Sequence, residues 1–196
     1  DEHGAIYVHP SDQVVVPQSD EFVKAGNSAP KYNLGWGNTF TYKGISLGCL
    51  FTARVGGIVV SQTQATMDAF GASKATADAR DNGGALVNGR PIDAEAYYTT
   101  IGGSGSQGGI GSMYVYSATN VRLAELSLGY DIPINKYVNW IKGLNVSFIG
   151  KNLFFLYRKA PFDPELTAST GTYFQGIDMF MSPSLRNLGF SVKVNF

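Results

Sequence analysis

Between residues 32 and 55 the side chains alternate with period two on both sides of a single short break, which restricts the chain to a fold built on antiparallel strands. Tyr32, Leu34, Trp36, Asn38, Phe40 and Tyr42 share one parity, against Asn33, Gly35, Gly37, Thr39 and Thr41 on the other. After Lys43-Gly44 the pattern resumes, with Ile45, Leu47, Cys49, Phe51 and Ala53 alternating with Ser46, Gly48, Leu50, Thr52 and Arg54. A two-residue turn at Lys43-Gly44 makes this a hairpin, since glycine accepts the positive φ that such turns require. The register then pairs Tyr42 with Ile45, Phe40 with Leu47 and Trp36 with Phe51. A slip of one residue would carry every apolar side chain to the wrong face.

The same alternation recurs toward the C-terminus. Leu188, Phe190, Val192, Val194 and Phe196 alternate with polar or small residues, as do Leu144, Val146 and Phe148. Over 121–130 the phase slips, with Val121 and Leu123 on one parity and Leu126, Leu128 and Tyr130 on the other. A slip of this kind predicts a bulge near Ala124-Glu125. Five strands result, at about 32–42, 45–55, 119–130, 144–154 and 186–196. Their connections alternate in length: two residues, then a very long link (56–118), a moderate one (131–143, with a turn near 138–141) and a long one (156–184). Residues 61–81 of the first long link read as helical. The expected fold class is all-β and antiparallel, with one long loop partly helical.

Alternation alone leaves two architectures open: a soluble β-sandwich, whose apolar parity is core, and a membrane barrel, whose apolar parity faces lipid. Membrane helices are excluded, because the longest unbroken apolar run is the five residues 153–157, against roughly 18–20 for a spanning helix. The strand lengths match the roughly 9–11 residues of a tilted membrane strand, and alternating short and long connections are the habit of outer-membrane barrels. The charges cancel, 15 basic against 15 acidic, so there is no electrostatic footprint for nucleic acid. One cysteine, Cys49, and two histidines, His3 and His9, are too few for a disulfide, a multi-cysteine zinc site or most histidine-based chemistry. No metal and no cofactor is expected. The first residues, Asp1-Glu2-His3, have neither the basic nor the apolar region of a signal peptide.

Several stretches strongly resemble the C-terminal part of SusC/RagA-like TonB-linked (TonB-dependent) outer-membrane transporters of Bacteroidetes. Val121-Arg122-Leu123, Glu125-Leu126-Ser127-Leu128 and Tyr130 before Pro133 match one run of that family. Gly150-Lys151-Asn152-Leu153, Asp163-Pro164-Glu165 and Pro183 through Arg186 match three more, and Tyr42-Lys43-Gly44 resembles its preceding hairpin. Gly71-Ala72-Ser73-Lys74, Arg80-Asp81 and Gly83-Gly84 resemble its long loop. The resemblance covers nearly the whole chain, less securely before Ser28. It implies that residues 1–196 are the C-terminal portion of a barrel domain, with 1–31 an extracellular loop and 32–196 the last five strands of a 22-stranded barrel and their loops. The plug domain and the TonB-contacting segment are expected to lie outside these residues. Five strands are too few for a closed bacterial barrel in any case.

The resemblance further implies a nutrient importer in the bacterial outer membrane, not an enzyme. Its substrates would be glycans or oligopeptides. Its partners would be the rest of its own barrel and plug, a SusD-like surface lipoprotein, TonB and outer-membrane lipid. The rival readings are a soluble β-sandwich carbohydrate-binding module and a passive porin fragment. On the polar parity, Arg54, Asn145, Lys151, Lys193 and Asn195 are the lumen-facing candidates. Tyr97, Tyr98, Tyr114, Tyr116, Tyr173 and Phe174 are the loop aromatics that could touch a ligand, although girdle or loop packing is the favoured role for each. Phe190, Val192, Val194 and Phe196 resemble a barrel-assembly signal.

Other motifs carry less. Gly44-Ile45-Ser46-Leu47-Gly48 fits the nucleophile-elbow pattern, but Ser46 opens a hairpin strand and both histidines precede it. Gly103-Ser104-Gly105-Ser106-Gln107-Gly108 fits a dinucleotide fingerprint without the βαβ unit that gives it meaning. Asn145-Val146-Ser147 is a sequon inside an expected strand. Asp163 and Glu165, as paired acids or as calcium ligands with Asp178, are weighed against a loop held by hydrogen bonds or by Arg186, which is favoured.

Overall fold

A computed structural model of the chain describes residues 24–103, 109–134, 140–166 and 174–196. Most of the expected 1–31 loop, with His3 and His9, lies outside the described residues, as do most of the glycine-rich 103–108 segment and the turn near 138–141. In chain order the elements begin β1 (Tyr32–Tyr42), β2 (Ile45–Val55), β3 (Ile58–Ser61), α1 (Gln62–Ala69), α2 (Lys74–Asp81), β4 (Ala85–Val87) and β5 (Arg90–Ile92). They continue α3 (Ala94–Gly102), a 3-10 turn over Gly111–Tyr114, β6 (Val115–Ser117), β7 (Asn120–Ile132), β8 (Gly143–Arg158), β9 (Ile177–Asp178) and β10 (Asn187–Asn195). The described residues fall into two compact units, one holding those of 24–28, 58–116 and 174–181, the other those of 29–57, 117–166 and 182–196.

The second unit is a five-stranded antiparallel sheet in the order β1-β2-β7-β8-β10. The first hairpin has the expected register, Tyr42 opposite Ile45 and Trp36 opposite Phe51. Both Lys43 and Gly44 have positive φ, 48° and 83°, the requirement of a type I′ turn. The expected bulge is present: Leu50 pairs with Glu125 and Phe51 with Leu123, so Ala124 is the extra residue. Strand β8 runs to Arg158, beyond the expected 154. Asn152, at φ 53°, and a second register shift opposite Val121/Arg122 break its alternation. This sheet is open, with β1 and β10 at its edges.

In the first unit the stretch expected to be helical over 61–81 is helical, as two helices with a break between them. Phe70 caps α1, Gly71 turns at φ 67°, and Ser73 starts α2 afresh by accepting a hydrogen bond from the Thr76 N–H. Ser61 and Asp93 cap α1 and α3 in the same way, each satisfying a backbone donor that the helix leaves open. The core of this unit is Ala65, Ala79, Val87, Ile92, Tyr97, Ile101 and Tyr114 with their neighbours. A small sheet, β6-β3-β9, completes it. Its parallel β3–β9 pairing is anchored by Ser61, whose hydroxyl donates to Asp178 at 2.7 Å, both residues being buried.

Candidate functional site

The register of the five-stranded sheet sorts its side chains into whole rows. On one face Tyr42, Ile45, Tyr130, Val146 and Val192 stand side by side across the strands, and the next row is Phe40, Leu47, Leu128, Phe148 and Phe190. These rows are exposed rather than packed, from 41% at Leu47 to 70% at Tyr42 among their large side chains on β1 and β2. A sandwich would bury this face. From Tyr32 to Tyr42 the strand covers about 34 Å, and at a tilt of about 40° it would rise roughly 26 Å, the height of the apolar band on a membrane barrel. Aromatics line the band: Trp36 stacks on Phe51 at 5.5 Å, and Trp140 on Phe196 at 5.6 Å. Val192 and Val194 alternate with Ser191 and Lys193 on β10, and Phe196 follows it.

The opposite face is polar and shallow. Its rows read Thr41, Ser46, Gly129, Ser147, Ser191 and then Thr39, Gly48, Ser127, Ile149, Gly189. A Cβ at Gly48 would stand 2.5 Å from the Ser127 hydroxyl, and one at Gly129 the same distance from that of Ser46. A trough of about 350 Å³ lies here, lined by Gly37, Thr39, Gly48, Leu50, Glu125 and Ser127. Four of the five lumen-facing candidates border neighbouring strands in definite ways. Asn145 donates to Asp131 at 2.7 Å, and the Lys151 ammonium is 3.7 Å from Glu125. Lys193 stands opposite Asn145, and the Asn195 carbonyl accepts from the Lys142 N–H at 2.8 Å.

The fifth candidate, Arg54, leads to a cluster that periodicity did not reveal. Arg54 is opposite Asn120, and Asn120 is opposite Arg158. Two residues along β7, Arg122 is ion-paired to Glu165, and its guanidinium lies 5.2 Å from the centre of the Phe155 ring. Arg158 approaches the same ring at 5.6 Å. Asp163 accepts from the Ser184 hydroxyl at 2.5 Å and from the Glu165 N–H at 3.0 Å. The Asp163-Pro164-Glu165 segment is thus a loop held by its own bonds, with Arg122, not Arg186, holding Glu165. Asp178 is bonded to Ser61, and among the described residues no three His, Cys, Asp or Glu side chains gather as a metal site.

The loop aromatics are mostly packed. Tyr97 and Tyr114 are buried in the core of the first unit, with the Tyr114 hydroxyl donating to Asp68 at 3.1 Å. Tyr98 meets Tyr97 edge to face at 5.0 Å, and its hydroxyl reaches the Ala75 carbonyl. Burial raises the hydroxyl pKa of Tyr97, Tyr98, Tyr114 and Tyr116, and the Asp68 carboxylate adds to it. Tyr98 also lines a cleft of about 390 Å³ with Phe70, Arg80 and Glu95. Phe174 is exposed, and Tyr173 lies outside the described residues.

No family model matches the chain. It is 29% identical over 119 residues to the TonB-dependent receptor P3 of Formosa agariphila, a match covering 55% of this chain and 10% of the receptor. The RagAB peptide importer in its open-open state shares the fold over 97% of this chain and 20% of its own, with a TM-score of 0.64 and 18% identity. A second structure, of the RagAB peptide transporter, does so over 87% of this chain and 18% of its own, at 0.60 and 19%. The chain therefore spans a fifth or less of the proteins it matches. None of them is described as an enzyme.

Proposed function

Taking the chain as one that resembles the C-terminal part of a SusC/RagA-like TonB-dependent transporter, we propose that it is the last stretch of the barrel wall of an outer-membrane nutrient importer. The carrying observation is the two-faced open sheet. One face is apolar and exposed over the height of a bilayer, the other is polar and small-residued, and among the described residues no strand pairs with the outer edge of β1 or of β10. In lipid those edges demand partners, because each unsatisfied backbone group costs several kcal/mol. The rest of the same barrel supplies them in this reading, and the polar face lines a lumen filled by a plug.

The solute is a glycan or an oligopeptide, a SusD-like lipoprotein forms the lid, and TonB delivers the energy. Similarity to a TonB-dependent receptor and the fold shared with a peptide importer support this reading. Catalysis has no part in it. Outer-membrane barrels have short periplasmic turns and longer extracellular loops, so in this reading the Lys43-Gly44 turn and 131–143 are periplasmic, and 56–118 and 156–184 are extracellular. The test is uptake in cells carrying the full-length protein. Outer-membrane fractionation and solute uptake that stop when TonB is removed support the proposal. A soluble protein, or uptake indifferent to TonB, contradicts it, the latter in favour of a passive pore.

A further inference from the structure

Resting on the import reading, we propose that Arg158, Phe155 and Arg122 form a subsite on the polar face for a carboxylate carried by the solute. Strand pairing sets Arg54, Asn120 and Arg158 abreast on β2, β7 and β8, with Arg122 two residues from Asn120 on the same face. The guanidinium groups of Arg122 and Arg158 both approach the Phe155 ring, at 5.2 and 5.6 Å from its centre. Glu165 pairs with Arg122. Arg158 is exposed, and among the described residues it meets the Phe155 ring and no carboxylate. The Arg122 Nε also has no acceptor among the described residues. Arg158 is thus an exposed guanidinium without a carboxylate among the described residues, and an anion is its complement.

The chemistry selects a carboxylate. A guanidinium offers a planar fork of donors that matches the two carboxylate oxygens, which a lysine would not. The Phe155 ring, which Arg158 approaches at 5.6 Å, holds that guanidinium against a surface and lowers the freedom lost on binding. A peptide C-terminus and a uronic acid present the same group, so the experiment separates them.

Competition for uptake in cells carrying the full-length protein would use four probes: hexapeptides with a free C-terminal carboxylate, the same peptides amidated, oligogalacturonates, and their methyl esters. The wild type should favour the carboxylate member of one pair by at least about tenfold, the scale of a charge-assisted hydrogen bond. Arg158→Gln should lower uptake of the carboxylate member to the level of its neutral counterpart in the same variant, and Arg158→Lys should keep only part of the preference. Preference within the peptide pair identifies a peptide terminus, and within the other pair a uronate. Import of the neutral probes without discrimination, or discrimination that survives Arg158→Gln, overturns the subsite and leaves the import reading standing. Import of none of the four by the assembled wild type counts against the import reading, and the subsite falls with it.

Discussion

Trp140 lies nearly flat on Phe196, with ring centroids 5.6 Å apart and planes 14° from parallel. The stack joins the residues just before β8 and just after β10, beside the Lys142-to-Asn195 backbone bond. Such a pair contributes about 0.5–1.5 kcal/mol beyond its buried area. If Phe196 is also read by the assembly machinery, deleting it should lower the outer-membrane level of the full-length protein several-fold. Trp140→Ala, which removes the stack and keeps the terminal residue, should lower it much less. Equal levels after the deletion and in the wild type would reduce Phe196 to one more apolar side chain.

The two faces should respond oppositely to charge. Leu47→Arg places a cation on the apolar face, at a cost of up to about 2–4 kcal/mol at the bilayer midplane and less near an interface. Thr39→Arg, on the polar face one residue from Phe40, should cost far less. Unfolding of the full-length protein from lipid vesicles measures both, and equal costs would invert or abolish the face assignment.

The hairpin turn offers a gain as well as a loss. Lys43 has a φ of 48°, a region that asparagine enters more easily than lysine. Lys43→Asn should therefore raise stability by a few tenths of a kcal/mol, toward the Asn-Gly favoured in such turns. Gly44→Val should cost about 1–2 kcal/mol, because φ is 83° and an added Cβ would lie 3.1 Å from the Asp131 carbonyl. The same vesicle unfolding experiment should show this difference in sign.

Alkaline pH should loosen the first unit before the sheet. Burial raises the hydroxyl pKa of Tyr97, Tyr98, Tyr114 and Tyr116 above the ordinary 10.0, so folding favours their neutral forms. Their contribution is complete below pH 10 and is lost as pH rises above it toward the folded values. Protease cleavage within 58–116 should accelerate above pH 10, and Tyr114→Phe should delay that onset. Cleavage with no pH dependence would show that these hydroxyls do not govern the unit.

What the sequence revealed follows from how local its signals are. The pairing of Tyr42 with Ile45 and of Phe40 with Leu47 rests on alternation across a two-residue turn, and it was readable pair by pair. The bulge at Ala124 was readable too, because Leu123 and Leu126 cannot share a face in an unbroken strand. Phe155 and Arg158 were hidden by the same physics, since Asn152 in the left-handed region and the shift near Val121 destroy the phase of β8. The break between α1 and α2 had its signals in Gly71 and Ser73, and α3 had a cap in Asp93, but Ala-rich composition outweighed them. Ser61 and Asp178 are 117 residues apart, and no local pattern can pair residues at that separation.

Cysteine labelling of intact cells tests the central claim most directly, with the full-length protein in a Cys49→Ser background. A membrane-impermeant maleimide should label Ala75→Cys in the first long loop and leave Lys43→Cys at the hairpin turn unlabelled until the outer membrane is permeabilised. Labelling at position 43 but not at 75 on intact cells would contradict the account.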